Sequence, residues 1–270
     1  MQLGIRAVIY TRNHERAEAA RLIAAAGFAG VQMASHYVES ADLTSGQPRM
    51  GPGVLGAEFA AETRELFHAA GLQTWCLDCY NPLSGADETM RTHAVEQMIG
   101  GLRIARSFGC DAIVTEAGSR GVDGFERFLD SMRRVLPVAE EEDVAVCIEP
   151  SYAQSVPSCW AMAGAIEELG SPYLRVLLDP ANILVYDSVD RMFSVLAGSI
   201  MYMHAKDCVV GEKAMPTFPS AGEGMVDWHR TVELMNEHGI DRLIIEYARE
   251  ETLEQVAGFL RGVISEVEGS

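Results

Sequence analysis

The chain has 270 residues, of which 48% are apolar and 22% charged, an ordinary globular balance. Its 21 basic and 39 acidic residues give a formal net charge of −18. Such a surface lacks the Lys/Arg footprint a nucleic acid demands, and no apolar run reaches the roughly 18 residues of a membrane span.

Short apolar runs alternate with amphipathic stretches eight times along the chain. Strands are expected near 3–9, 30–35, 72–80, 112–117, 144–150, 174–183, 200–206 and 242–247. The opening MQLGIRAVIYTRNHERAEAARL lacks the charged, apolar and cleavage regions of a secretory signal, so a cytoplasmic protein is expected. HERAEAARLIAAAG (14–27) has helical periodicity and stops on Gly27. AEFAAETRELFHAAG (57–71) and AVEQMIGGLRIARSFG (94–109) repeat the device with Gly71 and Gly109, since glycine readily ends a helix. Between the first two of these helices lies a long segment rich in Gly, Pro and Ser, residues 36–56, opening on His36. Asp123 is placed to cap GFERFLDSMRRVLPVAEEE, Pro157 and Ser158 precede CWAMAGAIEELG, and Asp227 is placed to cap WHRTVELMNEHG. A second long loop, residues 207–226, follows the seventh strand, and EETLEQVAGFLRGVISEVE closes the chain as a helix. Loops of this length usually bind or cover something.

The strands read as continuous apolar runs, as in parallel sheets covered on both faces. Eight β-then-α units in about 270 residues imply a closed barrel or an open doubly wound sheet. An open nucleotide-binding sheet carries G-x-G-x-x-G after its first strand, whereas here AVIY leads into TRNHER without a glycine. The expected fold is therefore α/β, a single (β/α)8 TIM barrel forming one domain over residues 1–270. Trp160 and Trp228 are expected to pack helices onto it. Cys76, Cys79, Cys110, Cys147, Cys159 and Cys208 lie mostly inside apolar runs. They read as reduced, buried residues. Cys76 and Cys79 form a C-x-x-C, but on a strand and not at the helix start of a redox motif.

Four side chains stand where strands five to eight end: Glu149 in VAVCIEP, Asp179 in LRVLLDPAN, His204 in IMYMHAKD and Glu246 in RLIIEYA. In a barrel, strand C-termini open on one face, where active sites lie. Three carboxylates crowded there would repel one another, and a divalent cation removes that cost. The competing reading, that each acid caps a helix or pairs with a nearby cation, weakens when four residues share equivalent strand ends. His204 alone would read as a hydrogen-bonded core residue; its position between Asp179 and Glu246 makes it a ligand candidate.

Further residues point toward the same mouth. Lys206 follows His204 by two and shares its inward parity, so it could hold a substrate oxygen or pair with Glu116 or Asp207. Glu116 ends the fourth strand and His36 ends the second; both are substrate-binding candidates. Gly222 and Gly224 offer a phosphate cradle, but Glu223 and Asp227 add negative charge that disfavours a phosphorylated substrate.

LLDPAN, MHAKD, IIEY, CIEP and SAGEGMVDW together resemble the xylose isomerase-like barrel superfamily over nearly the whole chain. That group holds sugar isomerases and epimerases, inosose and dehydroshikimate dehydratases, and endonuclease IV. The resemblance implies one divalent metal ion (Mn, Mg, Co or Zn) held by Glu149, Asp179, His204 and Glu246. Likeness to the ketose 3-epimerases implies that Glu149 and Glu246 also transfer protons on opposite faces of the substrate. The implied activity is a sugar or polyol isomerase or epimerase acting through an enediolate on a small carbohydrate or polyol. A dehydratase or lyase of the same barrel, or a non-catalytic carbohydrate-binding barrel, are the alternatives. Relatives are often dimers or tetramers, which allows a homo-oligomer. Asn182 stands where the epimerases often have His, and Ser151 where relatives have His or Asn. These departures leave the ligands intact, change the substrate contacts, and make Asn182 a partner for a substrate hydroxyl. Endonuclease IV's extra histidines have no counterpart near Asp78 or Glu116.

Overall fold

A computed structural model describes residues 1–33, 57–211 and 215–269. Eight parallel strands pair in chain order and close into a cylinder: β1 (Gln2–Arg6), β2 (Gly30–Met33), β3 (Gln73–Asp78), β4 (Ala112–Glu116), β5 (Ala145–Glu149), β6 (Leu174–Leu178), β7 (Ile200–Ala205) and β8 (Arg242–Ile245). The helices are α1 (Val8–Thr11), α2 (Arg16–Ala25), α3 (Ala57–Ala69), α4 (Glu88–Phe108), α5 (Gly124–Glu142), α6 (Cys159–Leu169), α7 (Pro180–Ile183), α8 (Val189–Leu196), α9 (Trp228–Glu237) and α10 (Leu253–Glu268). This is the (β/α)8 barrel the alternation predicts. Among the described residues no helix is long and apolar enough to cross a membrane.

Local chemistry sets the boundaries. Gly27, Gly71 and Gly109 follow their helices with φ of 77°, 85° and 79°, the left-handed conformation that glycine adopts without a Cβ penalty. α4 starts earlier than expected because Asp87 accepts hydrogen bonds from the amides of Thr89 and Met90. Asp123 caps nothing with its side chain and instead adopts φ 57°. Ser158 and Asp227 do cap α6 and α9. The strand expected over 174–183 ends at Leu178, since Pro180 has no amide for a ladder and Asp179 caps α7 through Ala181 N. The strand expected over 3–9 ends at Arg6, where the chain turns into α1. Trp228 is 2% exposed as expected, but Trp160 is 62% exposed: the inward positions of α6 are Cys159, Met162 and Ala165.

Two apolar clusters divide the interior. The larger lies between strands and helices; the smaller, with Trp75, Cys76, Ala112, Val114, Cys147, Leu177, Tyr202 and Ile244, fills the cylinder. Trp75 is an extra residue in β3, because Val31 pairs with Thr74 while Gln32 pairs with Cys76. Its indole lies over Gly4 and Gly30, and a Cβ at either glycine would overlap the ring. The six cysteines are all buried and unpaired. Burial drives the Cys76 and Cys79 thiols well up, which leaves both inert.

Because the Trp75 ring is hemmed in, Gly30→Ala is expected to destabilise the fold by about 1–3 kcal/mol through overpacking, read as a lower urea midpoint. Adding Trp75→Leu should recover part of the loss, as expected for contacting residues; additive losses would contradict this packing.

Candidate metal centre

Side chains two apart on a strand share a face. Two positions beyond the inner residues Val114, Cys147, Leu177, Tyr202 and Ile244 come Glu116, Glu149, Asp179, His204 and Glu246. The inner cluster therefore fixes where the polar residues point: into the mouth at the C-terminal ends of the strands. Register agrees, with Glu116 opposite Glu149 and His204 opposite Ile244.

Glu149, Asp179, His204 and Glu246 each offer a ligand atom, and these atoms all lie within 4.8 Å of one another. Glu149, Asp179 and His204 are buried and Glu246 nearly so. His204 Nδ1 stands 3.4 Å from Glu149 Oε1 and 3.6 Å from Glu246 Oε2. Asp179 Oδ1 is used by Ala181 N at 2.9 Å. Asp179 Oδ2, His204 Nδ1 and Glu246 Oε2 make no hydrogen bond, although Lys206 Nζ lies 2.9 Å and 3.0 Å from the two oxygens as an ion-pair partner. Buried polar atoms are normally satisfied. Three such atoms facing a common centre, the two oxygens met only by the Lys206 ammonium and the imidazole nitrogen by nothing, in a set of oxygens plus one imidazole, fit a hard or borderline divalent cation.

The surrounding residues hold this set in place. Glu149 accepts hydrogen bonds from the Tyr80 hydroxyl at 3.0 Å and from Asn182 Nδ2 at 2.6 Å. Arg6 donates to Glu246 Oε1 at 2.9 Å and to Asp78 Oδ2 at 2.8 Å. His204 Nε2 contacts Gln32 Oε1 at 2.8 Å, and Gln32 donates through Nε2 to Asp78. Lys206 pairs with Asp179 and Glu246, not with Glu116 or Asp207. Glu116 accepts from Gln154 at 2.8 Å. His36 lies outside the described residues. The sequence reading passed over Arg6, Gln32 and Tyr80 and gave Asp78 no role. Arg6 and Asp78 carry the same signal as the ligands, since they end their strands; Gln32, a fully buried amide in a four-residue strand, carries none in the sequence.

Asp207 faces away from this centre. Its carboxylate accepts from Cys208 N, Gly222 N, Val226 N and Trp228 Nε1 at 2.9–3.1 Å. Gly224 packs so closely that a Cβ would overlap Asp207 Oδ1. The glycine segment is thus wrapped around an internal carboxylate, and the Gly222 amide is not available to a phosphate. The same loop carries Phe218 to 5.0 Å from Lys206 Nζ and 6.3 Å from the Tyr152 ring.

Charge follows burial. Desolvation pushes the Asp179 carboxyl up to about 7, and the nearby Lys206 only partly offsets it. Desolvation acts on Glu246 too, but His204, Lys206 and Arg6 outweigh it and hold the carboxyl at about 2. Burial raises the Glu149 carboxyl too, but His204 and Lys206 together outweigh it and hold the group below its usual range. Burial would lower His204, yet Glu246 and Glu149 raise it. Glu116 is pushed up to about 7, mainly by burial and then by Glu149.

A closed parallel β/α cylinder with a cluster of metal-ligating side chains at its mouth defines the class of this protein. The chain belongs to the xylose isomerase-like TIM barrel family, whose profile matches residues 20–263. No curated sequence matches it. Among solved structures it is similar to D-psicose 3-epimerase from Clostridium cellulolyticum H10, at 15% identity over 98% of this chain and 99% of that one, with a TM-score of 0.75. It is also similar to the probable 3-DHS dehydratase AsbF from Bacillus anthracis, at 13% identity over 98% and 99% with a TM-score of 0.73. The IOLI protein, solved with a binding zinc atom, superposes at 13% identity over 99% of both chains with a TM-score of 0.77.

An ion at this centre must find Asp179 ionised and His204 without its Nδ1 proton. Both groups hold protons more readily than usual, so binding expels protons and acid opposes it. Manganese affinity is expected to fall as pH drops through 7, by about tenfold per pH unit for each proton displaced. Calorimetry in buffers of different ionisation enthalpy counts those protons; an affinity flat across this range would contradict the assignment.

Proposed function

We propose that this protein is a divalent-metal-dependent isomerase or epimerase of a small sugar or polyol, with Glu149, Asp179, His204 and Glu246 as metal ligands. The observation that carries the reading is the quartet within 4.8 Å, three members buried, in which three ligand atoms make no hydrogen bond and the two oxygens among them share one ammonium. The bound ion, Mn, Mg, Co or Zn, supplies a Lewis acid for adjacent carbonyl and hydroxyl oxygens of the substrate. Glu149 and Glu246 remove and return the proton beside that carbonyl, passing through an enediolate. Lys206, already turned toward the ligands, faces the negative charge that develops on oxygen. Asn182 holds Glu149 and reaches a substrate hydroxyl, and Glu116 takes another; His36 is a further candidate on the β2 side. D-psicose 3-epimerase among the structural neighbours is consistent with this chemistry.

One observation favours a dehydratase as the second reading. Glu116, at about 7, can carry a proton to a leaving hydroxyl, and a probable dehydratase is among the neighbours. A non-catalytic sugar-binding barrel has no use for buried, unsatisfied acids. The six buried, unpaired cysteines suit a reducing compartment, so we place the protein in the cytoplasm.

Protein purified without chelator is expected to carry about one divalent ion per chain; none after addition of Mn or Co would defeat this reading. Glu246→Gln should lower kcat by about 10²–10⁴-fold with the fold retained, and full activity would remove Glu246 from the chemistry. A screen of ketoses and cyclic polyol ketones in heavy water, read by NMR, separates the reactions. Deuterium beside the carbonyl marks the isomerase or epimerase, and net loss of water marks the dehydratase.

A further inference from the structure

Three buried or half-buried side chains, Gln32, Asp78 and Arg6, join the two ends of the candidate ligand set by a route that never touches its centre. His204 Nε2 contacts Gln32 Oε1 at 2.8 Å, Gln32 Nε2 contacts Asp78 Oδ1, Asp78 Oδ2 accepts from Arg6 Nη2 at 2.8 Å, and Arg6 Nη1 donates to Glu246 Oε1 at 2.9 Å. The path runs from β7 through β2, β3 and β1 to β8. Gln32, Asp78 and His204 are all 1% exposed or less, so water does not substitute for the two links among them.

The direction of every bond in this path is fixed by its members' chemistry. A guanidinium only donates and an ionised carboxylate only accepts. Asp78, facing Arg6 with one oxygen, must accept with the other, so Gln32 turns its NH2 toward it. The amide carbonyl then faces His204, and His204 Nε2 must carry the ring proton to satisfy it. Nδ1 is left with its lone pair aimed between Glu149 and Glu246, where it makes no hydrogen bond. At the far end Arg6 occupies Glu246 Oε1, so only Oε2 faces the centre.

We propose that Arg6, Asp78 and Gln32 are positioning residues: a polarised relay that sets the His204 tautomer for metal ligation and restricts Glu246 to one ligand oxygen. The proposal rests on the metal reading above. It makes a prediction about Asp78, a residue outside the ligand set. In Asp78→Asn the carboxamide oxygen must turn to Arg6, so its NH2 faces Gln32. The Gln32 amide then reverses, its NH2 faces His204 Nε2, and the ring proton moves to Nδ1, which cannot ligate. One substituted atom should reverse the two links from position 78 through Gln32 to His204 while each link stays hydrogen-bonded.

The test uses the full chain and zinc. Zinc affinity is measured by chelator competition for wild type, Asp78→Asn and Gln32→Leu, with far-UV circular dichroism and melting as the check on folding. Both variants are expected to bind zinc about 10–100-fold more weakly, as for loss of an orienting partner. Nitrogen-15 NMR of labelled histidine in the zinc-loaded wild type should place the proton on Nε2, the His204 signal being the one lost in His204→Asn. Wild-type zinc affinity in folded Asp78→Asn, or a wild-type proton on Nδ1, overturns the relay while leaving the metal reading intact. Where a variant does not fold, the wild-type signal alone decides. If wild type takes up no zinc, the metal reading fails separately, and the same signal in neutral imidazole still decides the tautomer.

Discussion

The arrangement at the barrel mouth depends on uncompensated negative charge. Glu149, Asp179, Glu246 and Asp78 are brought together by strand ends, and the chain supplies two cations among them, Arg6 and Lys206. Four carboxylates against two permanent cations leave two negative charges, which His204, raised by Glu246 and Glu149, offsets only in part, and removing charge from water is costly. The cations also share out unevenly. Both reach Glu246, which is held at about 2, while Asp179 has Lys206 alone and is pushed up to about 7. A divalent ion supplies the missing charge at the spot where Asp179 Oδ2 lacks a hydrogen bond. The other devices of the mouth position groups around that deficit.

Packing inside the cylinder is what makes the deficit reproducible. Trp75 fills the space left by Gly4 and Gly30, and as the extra residue of β3 it restores the register that turns Cys76 and Asp78 inward. A second shift, between Val176 and Leu177, pairs Leu177 with Tyr202 and so aligns Asp179 with His204 one step up. Bulges commonly re-aim side chains at barrel rims and active sites. Here they convert eight apolar strands into a ring whose last inward positions are polar.

That ring was legible in the sequence on one side only. Glu149, His204 and Glu246 each end an apolar run and Asp179 interrupts one just before a proline, which is enough to pick them out. Arg6 and Asp78 also terminate strands, but they sit in LGIRAVIY and WCLDCY, where apolar residues continue past them and mask the boundary. Gln32 is hidden differently, since its strand is four residues long and gives no alternation to read. The overlong sixth strand has the opposite cause. PANILV is apolar enough to extend the run, while Pro180 and the Asp179 cap end it. The contacts of Lys206 were beyond sequence reasoning because they depend on Asp207 turning away, which takes three donors from a loop some twenty residues long and a fourth, Trp228, from the start of α9.

The two glutamates that the proposed reaction uses are not equivalent. Glu149 receives only neutral donors, the Tyr80 hydroxyl and the Asn182 amide, beside His204. Glu246 receives two full cations. Asn182 matters here because of what it cannot do. A histidine at this place could add a third titrating group beside Glu149, whereas an amide donates without changing charge. Arg6 and Lys206 hold Glu246 from opposite oxygens, Oε1 and Oε2, so an ion drawing on Oε2 must share it with Lys206 or displace the ammonium toward the Phe218 ring that lies 5.0 Å away. The two acids thus stand in unequal fields, Glu246 between two cations and Glu149 among neutral donors beside the imidazole.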